Sequence, residues 1–273
     1  MGLNKAKNMK ENIMHLFAQK PLKYLTLCIL LVFASSTYCS DTNNDTGTNN
    51  TQNDEINDIH MLLTYSILYK TWQGSDPSRV IGKNIGALLV NPKRDTILGF
   101  DRNAHESTHN VTQHAESRLI QGYLAKYECE DLTDYIIYAS LEPCAMCSGM
   151  MIVSKIKETI YGETDPYGGK SLERLSLDSS ELSDGYKPYP DVTISKASNC
   201  IIRKDLDKAQ KESGIFIYEF LGTDKAKEIY KKAYNMFINY EVQYKTNQTI
   251  YDNAKNFLEQ ELENYYRAYE ELR

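Results

Sequence analysis

The sequence has no excess of basic residues. Its 31 Lys and Arg stand against 37 Asp and Glu, and without the first forty residues the balance is 26 against 36, or −10. Proteins that coat nucleic acid are normally basic, because phosphate contacts supply most of their non-specific affinity. The composition therefore counts against a general polyanion binder. It is compatible with one local basic patch or with a small nucleobase ligand.

The sequence also lacks an apolar run long enough to span a bilayer comfortably. The run Leu25 to Phe33 follows basic residues that end at Lys23, and it precedes the small residues Ala34 to Ser36. This order is typical of a secretory signal peptide. We therefore predict a signal at 1–36 and a secreted or periplasmic protein with no stable membrane span after its removal. An uncleaved segment that anchors the protein in a membrane is the alternative.

No internal repeat is evident, and 273 residues can hold one domain of ordinary size plus appendages. The segment Ser40 to Asp54 is dense in Asn, Thr, Asp and Gly and has no large apolar residue, so we predict a disordered linker over 37–54. The folded domain is expected over 55–222. A helical extension is expected over 223–273.

Helical and strand periodicities alternate through the folded part. Helices are predicted at Ile56–Trp72, His114–Tyr127, Met146–Lys155 and, within a long loop, Ser171–Leu175. Strands are predicted at Ile85–Val90, Thr96–Phe100, Tyr135–Ser140, Thr159–Tyr161 and Val192–Ser195, the first two as an antiparallel hairpin. This alternation predicts an α/β fold, a three-layer α/β/α sandwich, with an added C-terminal helical segment.

Three residues form a set that suits a zinc ion. His114 opens one predicted helix, and Cys144 and Cys147 open another after a buried strand. Zn²⁺ takes imidazole nitrogen and thiolate sulfur in tetrahedral geometry, and three protein ligands leave a fourth position open, as in catalytic sites. Glu116, two residues after the histidine, is then placed to act as general acid and base. The alternative is a redox or disulfide pair of the two cysteines, which leaves the His-Ala-Glu helix start unexplained.

The zinc motifs carry a resemblance to a known group of enzymes. The stretch Ser140 to Gly149 reads SLEPCAMCSG and runs on to Tyr161-Gly162, and Ile85 to Val90 reads IGALLV. These segments resemble the tRNA-specific adenosine deaminases and the related guanine deaminases of the cytidine-deaminase superfamily. The resemblance covers about Ile56 to Pro166. It implies the superfamily fold, one zinc ion per chain and hydrolytic removal of an amine from a base.

The resemblance also implies five substrate contacts. Asn103 would hydrogen-bond the purine, the backbone amide of Ala115 would touch the base, and the carbonyl of Pro143 would face the leaving amine. Asp165 would contact the nucleotide sugar, and Ile85 would form part of the pocket wall. From the residues alone, an Asx turn at Asn103 and a turn role for Asp165 before Pro166 remain open alternatives.

The predicted function is therefore zinc-dependent deamination of a nucleobase, foremost adenine in a nucleoside, RNA or DNA. Deamination of guanine, cytosine or cytidine as a free base or nucleoside is the first alternative. A catalytically silent zinc-binding interaction module is the alternative of another class. The resemblance also implies a homodimer, and Cys129 and Cys200 could pair in an oxidising compartment.

Overall fold

The computed structural model describes residues 46–74, 80–189 and 193–271, and the predicted signal at 1–36 lies outside them. Five strands are present among these residues: β1 (Gly86–Val90), β2 (Ile97–Arg102), β3 (Ile136–Ala139), β4 (Glu158–Tyr161) and β5 (Ile194–Ala197). The helices are α1 (Thr46–Lys70), α2 (His105–Thr108), α3 (Ala115–Tyr127), α4 (Ala145–Val153), α5 (Ser171–Leu175), α6 (Ile201–Ser213), α7 (Ile217–Phe220), α8 (Asp224–Ile238) and α9 (Gln248–Glu271), with a 3-10 turn at Lys245–Asn247.

The strands form one mixed sheet in the order β2-β1-β3-β4-β5. Strand β1 pairs antiparallel with β2 and β3, whereas the β3–β4 and β4–β5 pairs are parallel. Every residue of β1 and β3 is buried. Continuously apolar strands of this kind are found where both faces of a sheet are covered.

Helices cover the two faces of the sheet. A Cβ built on Gly86 of β1 would lie 3.1 Å from Leu68 of α1, and one built on Gly99 of β2 would lie 3.4 Å from Leu119 of α3. Gly99 pairs with Leu89, which is an odd number of residues from Gly86 and therefore points to the opposite face. Helices α1 and α3 thus lie on opposite sides of the sheet. The predicted three-layer α/β arrangement is confirmed.

The C-terminal helices pack on the α1 side of the molecule. Tyr230 of α8 is fully buried, and its ring centroid lies 5.3 Å from that of Tyr65 and 5.4 Å from that of Trp72. Phe237, two turns further along α8, is also fully buried. The helical segment predicted from the sequence is present, and its apolar face is part of the same core.

Helix α1 begins at Thr46, inside the segment predicted as a disordered linker. The carboxylate of Glu55 accepts hydrogen bonds from the backbone N–H groups of Gln243 and Tyr244 and from Asn247 Nδ2, the last at 2.7 Å. These contacts join the start of the helix to the turn before α9. Gln52, inside the predicted linker, contacts the same turn: its Nε2 donates to Thr246 Oγ1 at 2.9 Å, and its carbonyl accepts from Asn247 Nδ2 at 3.1 Å. Contacts across the fold therefore stabilise a polar stretch that cannot bury apolar surface by itself.

Two further features differ from the sequence predictions. Helix α6 follows β5 and buries Ile202, Leu206 and Ala209, a helical spacing that the prediction left unassigned. Cys129 and Cys200 are both free thiols, so the pairing considered for them is not formed. Cys200 is buried at the start of α6, whereas Cys129 lies after α3.

Candidate zinc and active site

The side chains of His114, Cys144 and Cys147 meet at one point. Their ligand atoms all lie within 4.8 Å of one another. The Nδ1 atom of His114 is 3.5 Å from the Sγ atom of Cys144 and 3.7 Å from that of Cys147. A tetrahedral ion with Zn–S near 2.3 Å and Zn–N near 2.0 Å needs N···S separations of about 3.6 Å. The donor set and its spacing fit zinc.

Two helix starts hold these ligands. His114 is the N-cap of α3 (φ −75°, ψ 157°) and Cys144 is the N-cap of α4 (φ −74°, ψ 174°), both in extended conformation. Cys147 follows in the first turn of α4 and is fully buried. The positive end of a helix dipole favours deprotonated thiols. The strand-to-helix connection after β3 therefore places both sulfur atoms where a cation can be held.

A hydrogen bond between the Cys144 and Cys147 thiols shifts their pKa values in opposite directions. A hydrogen bond from the Cys147 thiol, assisted by His114, lowers the pKa of Cys144 to about 4 despite its partial burial. The same hydrogen bond, together with burial, raises the pKa of Cys147. The contact with Cys144 also raises the pKa of His114. Zinc binding displaces the remaining thiol proton, because metal ligands must be deprotonated.

Glu116 lies beside the sulfur atoms in the first turn of α3. Its side chain is 4% exposed, and Oε2 is 3.6 Å from the Sγ atom of Cys147. Burial raises the pKa of Glu116 to about 7. A carboxyl group whose pKa is near neutrality can both take and give a proton at physiological pH. This arrangement joins a metal site to a proton-transfer group.

Sequence comparisons relate this arrangement to known proteins. Residues 69–163 match the family described as the cytidine and deoxycytidylate deaminase zinc-binding region, which includes His114, Glu116, Cys144 and Cys147. The chain is 34% identical over 98 residues to a tRNA-specific adenosine deaminase of Rickettsia felis, a match that covers 36% of this chain and 68% of that enzyme. It belongs to this deaminase family.

A second curated relative and a solved structure are also similar to this chain. A tRNA-specific adenosine deaminase of Rickettsia bellii is 34% identical over 85 residues, or 31% of this chain and 59% of that enzyme. A solved structure from a study of A-to-I editing by tRNA:A34 deaminases is 23% identical with a TM-score of 0.40. That match covers 50% of this chain and 96% of the other. The chain thus spans about six-tenths of the length of the Rickettsia bellii relative.

The deaminase relatives contradict the predicted location. They are named for tRNA, a molecule of the cell interior, whereas the N-terminal pattern predicted a secreted, periplasmic or membrane-anchored protein. The signal peptide was predicted only from the order of basic, apolar and small residues at the N-terminus. That order depends on composition and is independent of the substrate of the folded domain. Within residues 46–74, 80–189 and 193–271, no helix has both the length and the apolar character needed to cross a membrane.

Two residues of the predicted substrate pocket are joined by a backbone hydrogen bond. The N–H of Asn103 donates to the carbonyl of Ile85 at 2.9 Å, and both side chains are buried. Asn103 Oδ1 accepts from the N–H of His105 at 3.3 Å and lies 2.7 Å from its ring Nδ1. This is the Asx turn considered as the alternative. Both of these contacts use Oδ1 of Asn103.

Two backbone groups were predicted to contact the substrate, the N–H of Ala115 and the carbonyl of Pro143, and both lie next to zinc ligands in the sequence. Ala115 is fully buried as the first residue of α3, where its N–H has no partner four residues earlier within the helix. Pro143 is buried directly before Cys144, and its carbonyl accepts a long hydrogen bond from Ser148 Oγ at 3.4 Å. Both backbone groups are therefore within one residue of a ligand.

Asp165 holds the loop that follows β4. Its side chain is 3% exposed, and Oδ1 accepts from the N–H groups of Tyr167 and Gly168, both at 2.9 Å. Oδ2 accepts from the hydroxyl of Tyr218 at 3.2 Å. Both oxygen atoms therefore have partners within the chain, as the turn alternative requires.

Glu142 is a site residue that the sequence analysis missed. Its carboxylate accepts from the N–H of Asp165 at 3.1 Å and from that of Lys170 at 2.9 Å. A Cβ built on Gly169 would overlap Glu142 Oε2, and one built on Gly168 would lie 3.5 Å from Cys144 Cβ. Glu142 thus holds the loop close to the zinc site by hydrogen bonds. The adjacent glycines Gly168 and Gly169 could have indicated this close approach, because glycine is used where the backbone passes near another group.

Proposed function

We propose that this protein is a zinc-dependent deaminase that converts adenine to hypoxanthine in a nucleoside or within RNA. The observation that carries the proposal is the buried Glu116 carboxyl group, 3.6 Å from a sulfur atom of the zinc-ligand cluster. Zinc held by His114, Cys144 and Cys147 supplies the Lewis acidity that makes water nucleophilic at neutral pH. A zinc site with a purely structural role has no need of this carboxyl group.

Glu116 moves the protons of the reaction. It takes one proton from the attacking water as oxygen bonds to the amine-bearing ring carbon and delivers that proton to the ring nitrogen. It then takes the second proton from the new hydroxyl group and delivers it to the departing amine. The carbon–nitrogen bond then breaks, ammonia leaves, and the carbon keeps the new oxygen.

Three groups are proposed to orient the base. Asn103 Nδ2 and the N–H of Ala115 are the donors, and the carbonyl of Pro143 is the acceptor beside Cys144. Ile85, which binds the backbone of Asn103, forms the wall of the pocket. The relatives named tRNA-specific adenosine deaminases support adenine as the target base. For Asp165 to contact a nucleotide sugar, its Oδ2 must accept a hydrogen bond from the sugar in place of the one from the Tyr218 hydroxyl.

Ammonia release tests the proposed function. Zinc-loaded protein would be incubated separately with adenosine, guanine, cytidine and unstructured RNA, and base conversion followed by mass spectrometry. Glu116→Ala is expected to retain zinc and lose conversion by at least about a hundredfold, the scale of a general acid–base contribution. Glu212→Ala, at an exposed glutamate on α6, is the matched control. Full activity of Glu116→Ala would refute the assignment, and conversion of guanine alone would move it to the free-base alternative.

We also propose a catalytic domain at 55–222, an extension at 223–273 and a homodimer. The buried positions of Tyr230 and Phe237 against α1 imply that a chain ending before Asp224 unfolds more easily. Thermal unfolding of that truncation and light scattering of the full chain test the two statements. An unchanged midpoint would make the extension an independent unit, and a monomeric mass would exclude the dimer.

A further inference from the structure

Three aromatic side chains lie together at the edge of the candidate active site. The ring centroid of Phe216 is 4.5 Å from that of Tyr167, with an interplanar angle of 60°, and 5.1 Å from that of Tyr218. We call Tyr167, Phe216 and Tyr218 the aromatic rim. All three follow residue 163, where the family match ends. The rim is therefore a feature of this chain beyond the matched zinc-binding region.

Hydrogen bonds connect the aromatic rim to the zinc site. The Tyr218 hydroxyl donates to Asp165, which accepts the N–H groups of Tyr167 and Gly168. Gly168 in turn packs against Cys144, since a Cβ built on it would be 3.5 Å from the Cβ of that ligand. The rim is thus fixed relative to the zinc ligands through one loop, and binding to it costs little ordering of side chains.

The rim keeps two large rings open to solvent. Tyr167 is 63% exposed and Phe216 is 38% exposed, whereas Tyr218 beneath them is partly buried. An isolated exposed aromatic residue is common on protein surfaces. A fixed pair of exposed rings beside a site for a planar base is the arrangement on which further bases stack.

We propose that the aromatic rim binds an unpaired base that neighbours the target base in single-stranded RNA. This inference rests on the proposed function and names its substrate class as a polynucleotide rather than a free base. The formal net charge of the chain is −6, which is unfavourable for binding through phosphates. Stacking on aromatic rings requires no positive charge, because every base has a π-face. The rim therefore supplies affinity that the electrostatics of this protein do not.

The test uses a short unstructured RNA of uridines around one adenosine, with 2-aminopurine beside the adenosine. Zinc-loaded protein carrying Glu116→Ala keeps the RNA intact during binding. We expect 2-aminopurine fluorescence to be quenched on binding. Phe216→Ala and Tyr167→Ala, added to this background, should remove the quenching and weaken binding by about fivefold or more, the loss of one base–aromatic stack. Phe216→Leu, which keeps apolar volume but no ring, should behave as Phe216→Ala does.

The matched control is Tyr127→Ala. Tyr127 is 52% exposed and its ring is 4.5 Å from that of Tyr123, but it ends α3, about 18 Å along the helix from Ala115. This variant should bind the RNA as its parent does, and the same RNA in a duplex should compete poorly. Unchanged RNA affinity in the rim variants, equal weakening by Tyr127→Ala, wild-type affinity in Phe216→Leu, or absence of binding by the parent would each overturn the proposal.

Turnover distinguishes this proposal from the proposed function. Binding and quenching are measured without catalysis, so RNA that stacks on the rim but is never deaminated by the protein with intact Glu116 would refute the proposed function alone. Deamination of adenosine with unaltered RNA binding in the rim variants would refute the aromatic rim alone.

Discussion

His60 makes the stability of this protein dependent on pH. The side chain is fully buried in α1, where Nε2–H donates to the carbonyl of Arg94 at 2.9 Å and the ring centroid lies 5.0 Å from that of Tyr138. Its Nδ1 atom has no hydrogen-bond partner among the described residues. Burial, offset in part by the hydrogen bond to Arg94, lowers the pKa of His60 from 6.5 to about 4.

The sign and size of the effect follow from this shift. In the unfolded chain His60 takes up a proton as the pH falls through 6.5, whereas in the folded protein it does so only near pH 4. Its contribution to stability is therefore fully present above pH 6.5 and is lost progressively toward pH 4. A difference of about 2.5 pKa units corresponds to about 3 kcal/mol of unfolding free energy.

The substitution His60→Gln isolates this contribution. Glutamine offers an amide donor in place of Nε2–H but does not titrate. Urea unfolding of the two zinc-loaded proteins between about pH 7 and about pH 4 gives the difference in unfolding free energy, and carboxyl groups common to both cancel. We expect this difference to move by about 3 kcal/mol in favour of the variant as the pH falls.

A substitution at His109, which is exposed, is the control. His109→Asn accepts the positive φ of 50° at that position and should follow the wild-type pH dependence. A difference between wild type and His60→Gln that stays constant over the whole range would refute the burial argument, because only titration of His60 can make it change.

Three further predictions concern the site and its surroundings. Cys144→Ser should lower bound zinc in metal analysis, whereas Cys129→Ser should not. Gly169→Ala places a methyl group against a carboxylate and a carbonyl oxygen, so it should cost about 1–3 kcal/mol in urea unfolding and several-fold in turnover; Gly122→Ala, with open space, should do neither. Glu163 is fully buried, its oxygens lack partners in the described fold, and burial raises its pKa. The neutral, buried Glu163 therefore contributes stability that is fully present below about pH 4.5 and is lost as the pH rises above it. The unfolding free energy of Glu163→Gln should consequently increase relative to that of the wild type as the pH rises.

Much of the fold was predictable because its signals are local. The apolar runs of β1 and β3 and the helical spacing around Leu119 and Ile120 were sufficient to place the sheet and α3. Helix α6 was missed although Ile202, Leu206 and Ala209 follow a helical spacing, because the rest of the helix is mostly polar and charged. The start of α1 could not be predicted, since Gln52 and Glu55 bind residues nearly two hundred positions away.

The sequence by itself determined the chemistry of the zinc site. His114, Glu116, Cys144 and Cys147 lie in short motifs at helix starts, so each motif fixes its own backbone geometry, and donor types specify the metal. The tertiary structure decided which groups remain for a substrate. Both oxygens of Asp165 are bound within the chain, one of them by Tyr218, and the aromatic rim joins Tyr167 to Phe216 across about fifty residues. Such contacts depend on how α7 packs beside the loop after β4, and no local pattern encodes that approach.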